Sequence, residues 1–303
     1  MARVSDPVHG VLLLDKPYGV SSNHALQRAR FALGAAKAGH TGSLDPLATG
    51  MLPLCFGEAT KIAGLLLGAH KRYSAEIVLG TATTTDDAEG EIVAVLDVTE
   101  AMRMQVPAAL AGFMGRIRQR PPIYSALKQQ GVPLYKRARR GEAVATPERE
   151  AEVFAIDHVV QLGDRVHAQI ECGSGTYIRS IARDLGERLG CGAHLGGLRR
   201  LWVDPFQDQA MVLLDEVLKF GIGMRARLLP MSAALSRFAA AELDSEEASR
   251  FRQGQPAASS MPPASEPVVV RGPGAHLIGL GRVDSVGLLW PQRIFNDLPR
   301  SPD

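Results

Sequence analysis

Apolar and polar positions along the chain predict a succession of short strands and helices. Val11 to Leu14 is a continuous apolar run that reads as a short buried strand, ended by the turn residues Lys16-Pro17-Tyr18-Gly19. Ser21 or Ser22 is placed to cap a helix through His24, Leu26, Ala29 and Ala32 to Gly34. Residues 39–50 are punctuated by glycines and read as a loop. Tyr73 to Leu79 and Glu91 to Val98 read as strands on either side of a polar Thr/Asp turn, followed by a helix over Glu100 to Met114. Arg149 to Val160 and Arg165 to Cys172 alternate with strand period, and Gly175 to Leu189 is helical with a charged outer face.

Strands and helices intermix without the regular strand–helix–strand repeat of a doubly wound sheet. The predicted class is therefore α+β, built on a mixed, largely antiparallel sheet. Composition shifts near Leu229-Pro230, and residues 254–267 are rich in proline, serine and alanine, as in an irregular loop. Beyond them, Pro267 to Arg271, Ala275 to Arg282 and Gly287 to Phe295 read as strands between glycine turns. The expected organisation is a large domain over residues 1–229 and a small β-rich domain over 230–303.

A chain of 303 residues buries a substantial core without staples. Cys55, Cys172 and Cys191 are widely spaced and form no C-x-x-C pair, so neither a zinc ribbon nor a disulfide framework is expected. The first apolar run is too short for a signal peptide and no window approaches a membrane span, which points to a cytoplasmic protein. Net charge is only +2, but its distribution is uneven. No acid lies between Asp15 and Asp45, or between Glu100 and Glu142, where Arg116, Arg118, Arg120, Lys128, Lys136 and Arg139 gather with Tyr124 and Tyr135. Such stretches either line a surface that neutralises phosphates or are solvated helix faces.

Candidate chemistry concentrates in residues 39–54, GHTGSLDPLATGMLPL. Pro46 restricts Asp45 to an extended conformation, and the apolar stretch Leu47 to Leu54 sets the carboxylate at the edge of a core. An isolated Asp-Pro is more often a plain turn former. A buried carboxylate needs a partner, for which His40 and Arg179 are candidates. Tyr177 and Arg179 stand two apart in GSGTYIRSIARD, residues 173–184. Arg179 either orients the carboxylate or forms a surface ion pair of little consequence. GCGAHLGG at 190–197 follows a helical pattern, unlike a dinucleotide-binding loop, and no P-loop, H-E-x-x-H or nucleophile elbow occurs.

Five blocks now carry a resemblance. They are DKPYGVSS (15–22), GHTGSLDPLATGMLPLCFGEATK (39–61), KRYSAEIVLG (71–80), RPPIYSALKQQGVPLYKRARRG (120–141) and GTYIRSIARDLGERLGCGAHLGGLRR (175–200). In this order they resemble the tRNA pseudouridine-55 synthases, the B type (TruB) of the pseudouridine synthases. The family's catalytic aspartate falls on Asp45, its paired arginine on Arg179, and its uridine-pocket residues on His40, Tyr73, Tyr177 and Leu198. Where the family often shows T-D-T-x-D, residues 83–87 read TTTDD, with Thr84 in place of one acid. The match thins beyond residue 230, where the family carries a small RNA-binding barrel of the PUA type.

The resemblance implies an isomerase that flips a T-loop uridine of tRNA into its pocket, breaks the N1–C1′ bond and rejoins the base through C5. One carboxylate serves as nucleophile, at either C1′ or C6, and neither metal nor other cofactor is required. His40 would fill the gap left by the flipped base, Tyr73 would stack on it and Leu198 would close the pocket. Tyr73 also suits a plain core position. A monomer acting on the T-stem and loop, without a protein partner or membrane, is expected. Two other readings compete: a non-catalytic RNA-binding protein on the same scaffold, and a nucleoside or glycoside hydrolase. A retaining glycosidase would need a second carboxylate about 5–5.5 Å away, and the segment around Asp45 contains none.

Overall fold

The computed structural model describes residues 7–125, 127–129, 132–134, 137, 140, 146–263 and 265–296. Its first half contains strands β1 (Gly10–Lys16), β2 (Ala38–His40), β3 (Ala48–Phe56), β4 (Lys71–Leu79), β5 (Thr81–Thr83), β6 (Ile92–Val95), β7 (Gly115–Gln119), β8 (Lys128–Gln129) and β9 (Val132–Pro133). Then come β10 (Arg149–Leu162), β11 (Arg165–Cys172), β12 (Ala193–Val203) and β13 (Val212–Leu213). The C-terminal part adds β14 (Ala240–Glu242), β15 (Ala257–Ala258), β16 (Val268–Arg271), β17 (Leu277–Val283) and β18 (Leu288–Ile294). Four helices matter below: α1 (Ser22–Ala32), α2 (Glu100–Ala111), α3 (Ile178–Leu189) and α4 (Ser245–Arg252).

The main sheet runs β13-β1-β3-β12-β4-β11-β10-β7, with β2 added on β3. Its pairs are antiparallel except β1 with β13 and β3 with β12, so the sheet is mixed and largely antiparallel, as the sequence predicts. Burial follows the sequence pattern. The unbroken apolar run of β1 is enclosed on both faces: Leu12 and Leu14 pack with α1, while Val11 and Leu13 face the C-terminal sheet. At the other end β4 alternates strictly, with Tyr73, Ala75 and Ile77 packed beneath α2 and α3.

The C-terminal sheet has the order β14-β16-β17-β18-β15. Val269, Leu280 and Phe295 share an apolar cluster with Val11, Leu13 and Met51 of the main sheet. Lys61 Nζ also donates to the Ile294 carbonyl at 2.8 Å.

Several element boundaries differ from the sequence reading. The 39–50 loop is flanked by strand: β2 includes Gly39 and His40, and β3 already begins at Ala48. The helix expected over Glu100 to Met114 stops at Ala111, where Gly112 forms the cap. The strand expected over Glu91 to Val98 is only Ile92–Val95. Helix α3 starts at Ile178 rather than Gly175, with Tyr177 as its extended N-cap.

Helix α4 and strand β12 are among the elements that escaped the sequence pattern. Helix α4 lies between short strands whose glycine and proline surroundings mask it. Strand β12, the bridge between β3 and β4, contains Gly196, Gly197, Arg199 and Arg200, which dilute its apolar period. Gly50 explains part of that bridge. It has φ +95°, and a Cβ there would be driven into the Arg200 carbonyl across the β3–β12 pairing. Gly50→Ala is expected to cost about 3 kcal/mol of stability through strain and forced strand separation, measurable by urea unfolding.

Candidate active site

Asp45 sits on a turn between β2 and β3 that the first forty residues hold from beneath. Its carbonyl accepts from the Ala48 N–H at 3.0 Å, and the next carbonyl, of Pro46, accepts from the Gly19 N–H at 2.8 Å. Lys16 is wholly buried and donates to the carbonyls of Val20 (2.6 Å), Pro17 (3.0 Å) and Pro46 (3.3 Å). Burial lowers its pKa to about 8, and the negative charge of Asp45 opposes that fall. Of the two serines considered as helix caps, Ser21 takes that role, accepting from the His24 N–H at 3.2 Å. Ser22 instead clamps the turn: its hydroxyl donates to the Leu44 carbonyl at 2.9 Å and accepts from the Leu44 N–H at 2.7 Å.

Arg179 reaches the same point from the first turn of α3. That turn is fixed by Gln119 at the end of β7. Its amide accepts from the Tyr177 N–H at 3.1 Å and donates to the Tyr177 carbonyl at 3.2 Å. The Arg179 guanidinium is 5% exposed and lies 3.0 Å from one Asp45 carboxylate oxygen. Its other amino group lies 3.2 Å from Asp87, and it donates further to the carbonyls of Tyr124 (2.9 Å) and Thr85 (3.1 Å).

Asp87 is 2% exposed and also accepts from the Thr85 hydroxyl at 2.5 Å and the Glu89 N–H at 3.1 Å. One arginine therefore joins two carboxylates with unequal surroundings. Asp87 is enclosed and fully bonded, whereas the Asp45 side chain is 41% exposed through an open pocket mouth. Surrounding protein raises the Asp45 pKa by desolvation; Arg179 opposes this, the negative charge of Asp87 adds to it and Lys16 opposes it. The open mouth lets water reach the carboxylate, so desolvation acts most fully once a ligand seals the pocket.

The pocket has a volume of about 300 Å³ and is lined by Asp45, Tyr73, Tyr177, Arg179 and Leu198. Strand register explains its floor. Lys71 and Tyr73 project from one face of β4, and Leu198 and Arg200 from the neighbouring strand β12, where Leu198 opposes Ala75 and Arg200 opposes Tyr73. Leu198 also pairs with Ala48 of β3, which brings it beside the Asp45 turn. Tyr73 belongs at once to the core cluster and to the pocket lining, so the two roles weighed for it coexist. Its hydroxyl is hydrogen-bonded to Arg200, and burial raises its pKa.

His40 does not line the pocket. It stands on β2, half-buried, with Nδ1 unpartnered among the described residues. Burial, reinforced by the positive charge of Arg200, lowers its pKa and favours the neutral ring.

Sequence reasoning assigned no site role to Asp87, Lys16, Ser22, Gln119, Lys71 or Arg200. For Lys71 a signal was present, since it lies two residues before Tyr73 in a strand of strict alternation. The one local signal for Asp87 was that TTTDD keeps the last acid of the T-D-T-x-D pattern; only the fold carries that acid to Arg179. Tyr135, Lys136 and Arg139 of the second basic stretch lie outside the described residues.

Residues 30–178 match the model of the TruB family pseudouridylate synthase N-terminal domain. Residues 179–236 match the tRNA pseudouridylate synthase B C-terminal domain, and 239–295 match Pseudouridine synthase II TruB, C-terminal. The chain belongs to the TruB family of pseudouridylate synthases. It is accordingly an isomerase. A tRNA pseudouridine synthase B of Xanthomonas axonopodis pv. citri is 56% identical, over 98% of this chain and 97% of that protein. One of Xylella fastidiosa is 54% identical, over 98% of this chain and 99% of that protein. Among solved structures, a chain of a Cbf5-Nop10-Gar1 complex superposes with a TM-score of 0.74 at 25% identity, covering 97% of this chain and 86% of that one. The pseudouridine synthase fold of this TruB chain thus persists far beyond its sequence relatives.

Proposed function

We propose that the chain converts uridine 55, in the T-loop of tRNA, to pseudouridine, with Asp45 as the nucleophile. The observation that carries this reading is the Asp45 carboxylate, oriented by a buried arginine at the mouth of a pocket whose size suits one flipped base. The relatives named tRNA pseudouridine synthase B support tRNA as the substrate. So do the basic stretches: Arg28, Lys37, Arg116, Arg118 and Arg120 are all exposed, the last three leading along the edge strand β7 toward α3. They would hold phosphates of the T-stem and loop in a salt-sensitive, largely sequence-blind way.

Within this reading Tyr73 stacks on the flipped uracil, Tyr177 and Leu198 close over it, and Arg179 keeps Asp45 charged and aimed. A neutral His40 fills the gap left in the loop. Residues 1–229 form the catalytic domain and 230–303 a PUA-like RNA-binding domain, and the protein acts as a monomer in the cytoplasm without a cofactor. Among the described residues no helix is long and apolar enough to cross a membrane. A hydrolase would need a second carboxylate facing the scissile bond. Asp87 does not line the pocket, and its oxygens are committed to Arg179, Thr85 and Glu89.

The deciding experiment maps pseudouridine on an unmodified tRNA transcript treated with the purified protein. One new pseudouridine at the T-loop position is expected; free uracil would favour the hydrolase, and tight binding without product the binding protein. The pH dependence follows from the site. Asp45 acts deprotonated and its pKa is raised, so kcat/KM should fall as pH drops through a value above the ordinary aspartate range of about 3.9. A profile flat down to about pH 4 would remove the desolvation argument.

A further inference from the structure

Among the described residues, two cations on the pocket floor have no carboxylate partner. Lys71 is 7% exposed and donates to the carbonyls of Ala69 (2.6 Å) and Leu67 (3.0 Å). Arg200 is 0% exposed and donates to the carbonyls of Met51 (2.6 Å) and Gly42 (3.1 Å) as well as bonding Tyr73. Among the described residues neither lies within ion-pair distance of an acid, whereas Arg179 across the pocket holds two. Of the described residues lining the cavity, Asp45 alone is acidic, against Lys71, Arg179 and Arg200. Burying a cation without a counter-charge is unfavourable. Two such cations side by side, in a site that otherwise selects an uncharged base, indicate an anion that exists only during the reaction.

We propose that Lys71 and Arg200 form an anion-binding floor that stabilises the detached uracil as its monoanion. This rests on the reading of Asp45 as the nucleophile, in its C1′ form. The N1–C1′ bond breaks with its electron pair leaving on the base, while the Asp45 carboxylate forms an ester bond to C1′. The uracil then carries one negative charge, shared by N1, C5 and the two carbonyl oxygens, with N3 still protonated. It turns over the floor, C5 attacks C1′ and the Asp45 ester bond breaks. Finally C5 loses its proton and N1 gains one, so charge and atoms balance.

The cations suit this role because they are fixed in advance. Both are held by backbone carbonyls and strand register, and they need not reorganise as the charge appears. Both are buried lining residues, shielded from the solvent in which substrate phosphates remain. Burial also lowers the Lys71 pKa to about 8, with Arg200 contributing, as it would for a cation awaiting its counter-charge.

The test compares Lys71→Met with wild type in single turnover on two T-arm RNAs, one with uridine and one with 5-fluorouridine at the target position. Fluorine withdraws electrons and makes the departing base a more stable anion, so it should partly replace the missing cation. On uridine RNA the variant is expected to slow about 100-fold, with RNA affinity within about twofold. Consumption of the fluorinated target should slow only about tenfold. Equal slowing on both RNAs, or a rate within about threefold of wild type on uridine, would overturn the proposal.

Lys71→Gln guards against misfolding, because its neutral amide still has donors for the two carbonyls. The same pattern of rates in that variant supports the charge, and wild-type rates overturn it. An Asp45→Ala protein is run in parallel. If it still makes pseudouridine, the reading of the nucleophile fails. If it is inactive while the Lys71 variants behave as wild type, the anion-binding floor alone fails.

Discussion

Asp45→Asn should abolish pseudouridine formation, lowering the single-turnover rate by at least about 10⁴-fold, while RNA affinity stays within a few-fold of wild type. The amide keeps the shape of the side chain and a contact to Arg179, so the turn held by Lys16, Ser22 and Gly19 is preserved. What disappears is the negative charge and the nucleophilic oxygen. No other lining residue can supply either, since Asp87 is enclosed behind Arg179. Mapping the product on a tRNA transcript with the two proteins reads the effect directly. Residual isomerisation within about a hundredfold of wild type would show that Asp45 positions rather than reacts.

The second large effect belongs to Arg179. Arg179→Ala should lower turnover about 10³-fold and affect RNA binding far less, because the guanidinium faces the carboxylate rather than the solvent. It should also destabilise the fold. Asp87 would remain buried with only the Thr85 hydroxyl and the Glu89 N–H for partners, a loss of about 3–5 kcal/mol. In calorimetry that corresponds to a fall in Tm of about 10 °C.

Structural and chemical contributions separate in a double variant. Arg179→Met with Asp87→Leu removes both buried charges and should recover stability to within about 1 kcal/mol of wild type, yet remain inactive. An unchanged Tm in Arg179→Ala would dismiss the buried bridge. Equal losses in turnover and RNA binding would dismiss the active-site role.

The same residues mark what was legible in the sequence. Asp45 could be singled out because its constraints are local: a following proline, flanking glycines and an apolar run that had to be buried. Tyr177 and Arg179 were legible as a pair near a helix start, and both line the pocket. The strands β10 and β11 followed from their alternation, because a sheet with one face on the core imposes period two on its residues.

Strand β12 was not legible. Its glycines and arginines give no strand period until the neighbouring strands on both sides supply its pairing, and the Arg200 carbonyl leaves room only for a glycine at position 50. The role of Asp87 was equally hidden, since TTTDD keeps the last acid of the family pattern without showing that it anchors a buried arginine 92 residues away.

Sequence by itself thus determined the elements whose patterns arise within a few residues, the α+β class and the family. The tertiary structure decided which charges face one another. Ion pairs and unpaired buried cations depend on strand register and on helix placement, and these join positions that no local pattern connects. The bridge of Asp45, Arg179 and Asp87, and the lining cations Lys71 and Arg200 that no described acid pairs, exist only once β3, β4, β12 and α3 meet.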